Sequence, residues 1–67
     1  MSVARVAEIS GSSSMGFKEA VEAGIEHANK SLENVKGVWI KEQKAVVVDG
    51  SISEYRVDMK VTYIPKD

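Results

Sequence analysis

Hydrophobic and polar residues alternate along the last third of the chain with the period of a half-buried β-strand. Successive side chains of a strand point to opposite faces, so alternate residues share one face. One face carries Tyr55, Val57, Met59, Val61 and Tyr63, and the other carries Arg56, Asp58, Lys60 and Thr62. The pattern predicts that the first face packs on a core and that the second is open to other contacts.

The preceding segment predicts a partner strand around residues 37–40, joined to the last strand through Asp49-Gly50. Asp-Gly suits a tight turn with positive backbone dihedral angles, although residues 51–53 leave a wider loop open. The polar run at residues 41–44 indicates an edge strand or a protruding hairpin. By alternation, the core side takes Val38 and Ile40, and the open side takes Gly37, Trp39 and Lys41.

The single tryptophan is therefore predicted on the open face of the sheet. A large aromatic side chain in that position indicates a contact with another subunit, with a planar ligand, or with both. An ordinary subunit contact and a ligand contact are equally compatible with the sequence.

Apolar residues recur at three- and four-residue spacing in the middle of the chain, which predicts a helix from about Ser14 to about Leu32. Gly24 lies in the apolar stripe, where either a close approach to the sheet or an unoptimised position explains it. A first strand is predicted over Ser2 to Ile9, without a clear core side. The run at residues 10–14 is expected to end this strand and to supply a Ser13 or Ser14 hydroxyl as the helix cap.

These elements predict one domain over residues 1–67, of the α+β class, with β-α-β-β order. A three-stranded antiparallel sheet wraps around one helix in this architecture. A chain of 67 residues buries only about 60% of its unfolded surface, and it has no Cys and a single His. Because disulfides and a multi-histidine site are ruled out, self-association is the expected source of additional stability.

The charge pattern and the missing motifs exclude several function classes. A net charge of −1 without a basic block predicts no nucleic-acid partner and no anionic membrane surface. The N-terminal residues lack the long apolar core of a signal peptide, and no run approaches about 20 apolar residues, so the expected location is the cytoplasm. The serines are explained by helix capping, and the Gly11–Lys18 segment has Phe17 directly after its second glycine, where a phosphate loop requires a lysine. An enzyme is therefore not expected.

The order and spacing of several short motifs resemble the dodecin family over essentially the whole chain. The resemblance lies in Arg5-Val6-x-Glu8-Ile9-x-Gly11-x-Ser13, in Val48-Asp49-Gly50, and in Tyr55-x-Val57-x-Met59-Lys60-Val61. It implies a hollow homododecamer, in which flavin-binding members hold stacked flavin pairs between subunits and store them without turnover. Riboflavin or FMN is then the expected ligand.

The sequence departs from flavin-binding dodecins at the two most diagnostic positions. The tryptophan that stacks on the flavin in those members corresponds to Gly37, and Trp39 follows about 6–7 Å along the same face. The glutamine that reads the flavin's pyrimidine edge corresponds to Arg56, which only donates hydrogen bonds. The basic neighbour of the flavin corresponds to Lys44. The expected ligand-binding residues are therefore Gly37, Trp39, Lys44 and Arg56.

Both departures resemble a divergent, calcium-dodecin type of the family, which shares the aromatic-arginine pair and Glu42-Gln43. That similarity implies an alternative function: a structural or calcium-binding shell that has lost flavin binding. Because calcium takes about six to eight oxygen ligands, several chains would have to build such a site. Its ligands are not assigned by the sequence.

Overall fold

The computed structural model describes residues 3–65 and contains one helix and three strands. β1 spans Arg5–Ser13, α1 spans Phe17–Ser31, β2 spans Val35–Val48 and β3 spans Ser51–Tyr63. The strand order is β1-β3-β2, and β3 pairs antiparallel with both neighbours. The predicted α+β class with β-α-β-β order is confirmed, and β2 is an edge strand, as its polar run indicated.

The core lies between α1 and the inner face of the sheet. Val57, Met59 and Val61 are at most 1% exposed, and Ala20 and Ala28 of α1 are equally buried. At one end of this core, the rings of Phe17 and Tyr55 meet edge to face with centroids 4.9 Å apart. The alternation of β3 therefore predicted the buried face correctly.

Two glycines let α1 lie close to the sheet. Gly11 pairs with Val57 on the inner face, and a Cβ at Gly11 would collide with the backbone carbonyl oxygen of Ala20. A Cβ at Gly24 would lie 2.7 Å from Cε of Met59. Close packing of α1 on the sheet therefore explains Gly24. It also explains Gly11, for which the sequence indicated no such contact.

The first strand is longer than predicted. β1 continues through the serine-rich run to Ser13, so the prediction that residues 10–14 break the strand is wrong. The reason is alternation: Gly11 faces α1, whereas Ser10 and Ser12 are exposed on the other face, where small polar residues are tolerated. The predicted start at Ser2 lies outside the described residues.

The helix begins three residues later than predicted and has no hydroxyl cap. Gly16 is the N-cap residue and makes no side-chain capping bond, so the prediction of a Ser13 or Ser14 cap is wrong. Ser13 instead ends β1, and its Oγ accepts a hydrogen bond from the backbone N–H of Met15 at 3.0 Å. At the other end, the Leu32 N–H donates to the Ala28 oxygen at 2.7 Å.

β2 and β3 form a hairpin with a two-residue turn. Asp49 and Gly50 have φ values of 51° and 78°, as the Asp-Gly pair predicted. β3 starts at Ser51, so the loop is not widened; instead, the register shifts between Val46 and Val47. The hairpin is part of an elongated chain of 52 × 19 × 13 Å. Within residues 3–65, no helix has the length and apolarity needed to span a bilayer.

Candidate ligand-binding site

Four rows of side chains cross the outer face of the sheet, which is the face that α1 does not cover. The rows follow from the register, because residues paired directly across antiparallel strands point to the same side. The glycine row contains Val6, Thr62 and Gly37; the tryptophan row contains Glu8, Lys60 and Trp39; the acidic row contains Ser10, Asp58 and Glu42; the basic row contains Ser12, Arg56 and Lys44. All four predicted ligand-binding residues therefore lie on one face.

Trp39 is the largest apolar group on this face, and it is 74% exposed. It lies on the edge strand β2, directly opposite Lys60 of β3. The predicted orientation of Trp39 is confirmed. Since a broad aromatic surface open to water favours contact with another molecule, the indole is available for stacking.

Gly37 lies two residues before Trp39 and leaves room on the same face. The Thr62 hydroxyl donates to the Gly37 carbonyl oxygen at 3.2 Å. A Cβ at Gly37 would lie 3.4 Å from Oγ1 of Thr62, which is an ordinary contact distance. Sterics at this position therefore do not require glycine.

Lys44 and Arg56 face each other directly in the basic row. Arg56 donates from Nε to Oε2 of Glu54 at 3.0 Å, and its side chain remains 56% exposed. Among the described residues, Lys44 makes no ion pair. Two like charges opposite each other on a sheet repel, and within the chain the carboxylate of Glu54 compensates the charge of Arg56.

The acidic row also places two like charges opposite each other, and here both charges are negative. Glu42 faces Asp58 directly. The Ser10 hydroxyl donates to Oδ1 of Asp58 at 2.7 Å, which satisfies one carboxylate oxygen. A shallow hollow is lined by the two like-charged pairs, Glu42, Lys44, Arg56 and Asp58. Like charges are therefore grouped into two neighbouring rows of the outer face.

An ion pair that the sequence did not predict connects the two edge strands. Lys41 is an extra residue in β2, at a register shift between Ile40 and Glu42, and its Nζ lies 2.9 Å from Oε1 of Glu8. The hydrogen bond, and then the charge of Lys41, lower the pKa of Glu8, and the same contact raises the pKa of Lys41. No sequence pattern indicated this ion pair, because the alternation of apolar and polar residues does not show where a strand bulges.

The structure does not bring Trp39 and Arg56 together within one chain. Arg56 lies four residues along β3 from Lys60, the partner of Trp39, which is about 14 Å at 3.4 Å per residue. The contact with Glu54 also directs the guanidinium away from the tryptophan row, because Glu54 lies further along β3. Lys44 lies in the same row as Arg56, so it is separated from the tryptophan row by the same distance along the strands. One chain therefore carries two separate parts of the predicted site.

No group of three or more His, Cys, Asp or Glu side chains in residues 3–65 is arranged to hold a metal ion. The acidic row supplies two carboxylates, fewer oxygens than calcium takes. Calcium binding therefore stays a prediction that depends on several chains.

Comparison with known proteins places the chain in a family. The family model Dodecin matches residues 3–65. A solved dodecin from Streptomyces davaonensis is 30% identical, with a TM-score of 0.94 over 98% of this chain and 97% of the other. A Thermus thermophilus dodecin variant has a TM-score of 0.94 at 24% identity over 100% of both chains, which shows the shared fold. A search of curated proteins finds no match.

The protein is thus a small β-α-β-β chain with an open, charged sheet face. It belongs to the dodecin family, because the family model covers nearly all of its length. The resemblance stated from the sequence is confirmed. Its assignment to the calcium-dodecin type stays a prediction.

Proposed function

We propose that the protein binds and stores a flavin, riboflavin or FMN, or a similar planar ligand, between the subunits of a homododecameric shell. The observation that carries this proposal is the 74% exposed Trp39 on the open sheet face of a dodecin-family chain. An exposed indole offers a stacking surface to a planar ring. Sequestration of a ligand requires neither turnover nor a catalytic residue.

The hydrogen-bonding groups of the basic row define which part of a flavin the outer face accepts. Arg56 and Lys44 only donate hydrogen bonds, so they suit carbonyl or phosphate oxygens and leave an imide N–H without an acceptor. The carboxylates of Glu42 and Asp58, one row away from the basic row, are acceptors on the same face. The site therefore favours FMN, whose phosphate supplies additional acceptors, over riboflavin.

Titration of the purified assembly with riboflavin and FMN, followed by quenching of flavin fluorescence, tests this proposal. We expect quenching that saturates near one flavin per subunit and is stronger for FMN. Trp39→Ala removes the stacking surface, and binding should be lost while the particle mass stays unchanged. Unaltered affinity in this variant would refute the assignment of Trp39.

Arg56→Gln is a matched variant, because it introduces the residue type that flavin-binding dodecins carry. It supplies both a donor and an acceptor, so we expect the preference for FMN over riboflavin to decrease. Gly37→Trp is the second variant of this kind, and the open space at Gly37 accommodates its Cβ. Tighter riboflavin binding in the double variant than in either single variant is the expected result.

The second candidate is a shell that binds no organic ligand. The ion pair between Arg56 and Glu54 favours it, because part of the guanidinium is already occupied within the chain. Trp39 then packs against a neighbouring subunit, and Trp39→Ala should lower the thermal stability of the assembly. Stability unchanged by this substitution, together with flavin quenching by the native protein, would exclude the second candidate.

A further inference from the structure

A short segment of the hairpin between β2 and β3 is paired one residue out of step with the rest. Ile40 pairs with Met59, and nearer the turn Val47 pairs with Ile52. Six residues of each strand lie between these two pairs, so a regular antiparallel ladder would fit there without interruption. Instead, two bulges that cancel each other shift residues 42–46 by one residue along β3.

The two bulges lie on different strands, and a side chain of each extra residue makes a contact there. Lys41 is the extra residue of β2, and its Nζ lies 2.9 Å from Oε1 of Glu8. Ser53 is the extra residue of β3, and its hydroxyl donates to the Val46 carbonyl oxygen at 3.3 Å. These two bulge contacts are both exposed, so each stabilises the observed register only weakly.

Polar side chains occupy most of the segment between the bulges. Residues 41–44 are all polar and exposed, and the register of a strand is weakly specified where both of its sides are polar. Gln43 pairs with the buried Val57 and therefore points to the inner side, yet it is exposed there. Val47 and Ile52, nearer the turn, are each more than half exposed. A slip of one residue therefore moves little buried surface.

A regular register would pair opposite charges where the observed register pairs like charges. The acidic row and the basic row each place two like charges opposite each other, which weakens a sheet. A slip of one residue places Lys41 opposite Asp58 and Gln43 opposite Arg56. The contacts that Asp58 and Arg56 make within the chain do not involve β2, so both registers keep them. The slip loses the two bulge contacts and gains an uninterrupted ladder.

We propose that residues 42–46 exchange between the observed register and the regular one. The two bulge contacts hold the observed register, and their release permits the slip. Because β1 pairs with the other edge of β3, β3 keeps its orientation and β2 alone turns over. A slip of one residue turns each side chain to the opposite face. Lys44 faces Arg56 in the observed register, and Gln43 takes its place in the regular one.

The exchange alters which ligand the outer face accepts, a consequence that rests on the proposed function. In the observed register, Lys44 and Arg56 only donate hydrogen bonds. In the regular register, Gln43 adds an amide oxygen beside Arg56, so the same row also accepts a hydrogen bond from an imide N–H. Gln43 is then the residue that sets specificity: the observed register favours FMN, and the regular register favours riboflavin.

Disulfide trapping tests the exchange, and the chain has no cysteine of its own. Val46 faces Glu54 in the observed register, so Val46→Cys with Glu54→Cys reports that register. Ala45 faces Glu54 only in the regular register, so Ala45→Cys with Glu54→Cys reports the other one. In the observed register, Ala45 and Glu54 point to opposite faces, which a disulfide does not bridge.

Both cysteine pairs are oxidised in the native background and in a background with Glu8→Gln and Ser53→Ala, which removes the two bulge contacts. The disulfide between positions 46 and 54 should form faster in the native background. Removal of the bulge contacts should speed the disulfide between positions 45 and 54 by about tenfold. Denaturing gels without reductant separate disulfides within a chain from disulfides between chains.

A matched control makes the same two kinds of substitution away from the hairpin. Glu22 and Ser31 are exposed on α1, so Glu22→Gln with Ser31→Ala should leave both rates unchanged. No disulfide between positions 45 and 54 in either background, while positions 46 and 54 are joined readily, would overturn the inference. An equal acceleration by the control and by the removal of the bulge contacts would also overturn it.

Hydrogen exchange covers the case in which the cysteine variants fail to fold. Protected amides of residues 42–46 should exchange faster in the native protein than those of residues 38–40, which keep their partners in both registers. Glu8→Gln with Ser53→Ala should speed exchange in residues 42–46 by about tenfold and leave residues 38–40 unchanged. Equal protection of the two segments, unaffected by these substitutions, would overturn the inference.

Flavin binding by the trapped chains separates this inference from the proposed function. The chain trapped in the regular register should prefer riboflavin, and Gln43→Ala in that chain should abolish the preference. Trapping as expected, without quenching of any flavin, would refute the proposed function and support the exchange of registers. Quenching of FMN by the native protein, without trapping of the regular register, would support the function and overturn the exchange.

Discussion

The two faces of the β-sheet differ in what completes them. On the inner face, Val57, Met59 and Val61 are buried against α1 of the same chain. On the outer face, Trp39 is 74% exposed, and like charges stand opposite each other in the acidic and basic rows. The inner face is completed within the chain, whereas the outer face leaves its largest apolar side chain in contact with water.

The comparison shows that one strand pattern carries two kinds of information. Apolar residues of β3 specify the fold through burial, which is nearly independent of partners. The residues between them are free to specify contacts, because substitutions there leave the core intact.

The largest expected effect is on the inner face. Met59→Ala removes a side chain that is 1% exposed and should lower the free energy of unfolding by about 2–5 kcal/mol. Lys60→Ala, on the outer face one residue away, should change it by less than about 0.5 kcal/mol. Urea unfolding at a fixed protein concentration measures both. Equal losses would show that the two faces are not separable.

Gly11→Ala tests the close contact between β1 and α1. The added methyl group collides with the backbone of Ala20, which cannot rotate away, so a loss of about 1–3 kcal/mol is expected. Ser12→Ala is the control, since Ser12 is exposed on the outer face. A Gly11→Ala protein as stable as the native one would mean that α1 lies further from the sheet.

Trp39→Ala should affect the ligand and leave the chain's own fold unchanged. Aromatic stacking contributes about 0.5–1.5 kcal/mol, or about 2- to 13-fold in affinity, beyond the burial of surface, so the loss of stacking and of burial together should lower FMN affinity by at least about tenfold. Trp39→Phe retains a smaller ring and should lose less. Fluorescence titration of both variants provides the measurement, and equal affinities for Ala and Phe would contradict stacking.

The smallest effect concerns the ion pair between Lys41 and Glu8. Because the pKa of Glu8 is lowered in the folded chain, its contribution to stability is present at neutral pH and is lost as the pH falls through that pKa. Glu8→Gln should therefore lower the melting temperature slightly at pH 7, and this difference should shrink as the pH falls below the ordinary pKa of a glutamate, about 4.3. Since both groups are exposed, salt should reduce the difference. A difference in melting temperature that grows on acidification would contradict a stabilising ion pair between Lys41 and Glu8.

The sequence predicted the division between faces better than the details of each face. The alternation of β3 is regular, so the core side and the orientation of Trp39 were predictable. β1 was misjudged because glycine and serine are typical of loops, and only the proximity of α1 explains Gly11 within a strand. The helix cap was misjudged for the same reason, since Ser13 belongs to the strand.

The composition of the site was predictable, but its geometry was not. Alternation places Gly37 and Trp39 on the outer face of β2 and Arg56 on the outer face of β3, whereas Lys44 shares this face only because the bulge at Lys41 reverses the alternation. The distance between Trp39 and Arg56 depends on the register across strands, which the bulge at Lys41 shifts by one residue. The grouping of charges into rows depends on the same register. Neither property is visible until β2 and β3 are paired.

Sedimentation of the native protein with FMN, followed at the visible absorbance of the flavin, tests whether the outer face binds its ligand between copies of the chain. We predict that FMN sediments with a particle many times larger than one 67-residue chain, near one flavin per subunit. FMN that stays unbound while the protein sediments, either as a large particle or as a single chain, would contradict the account.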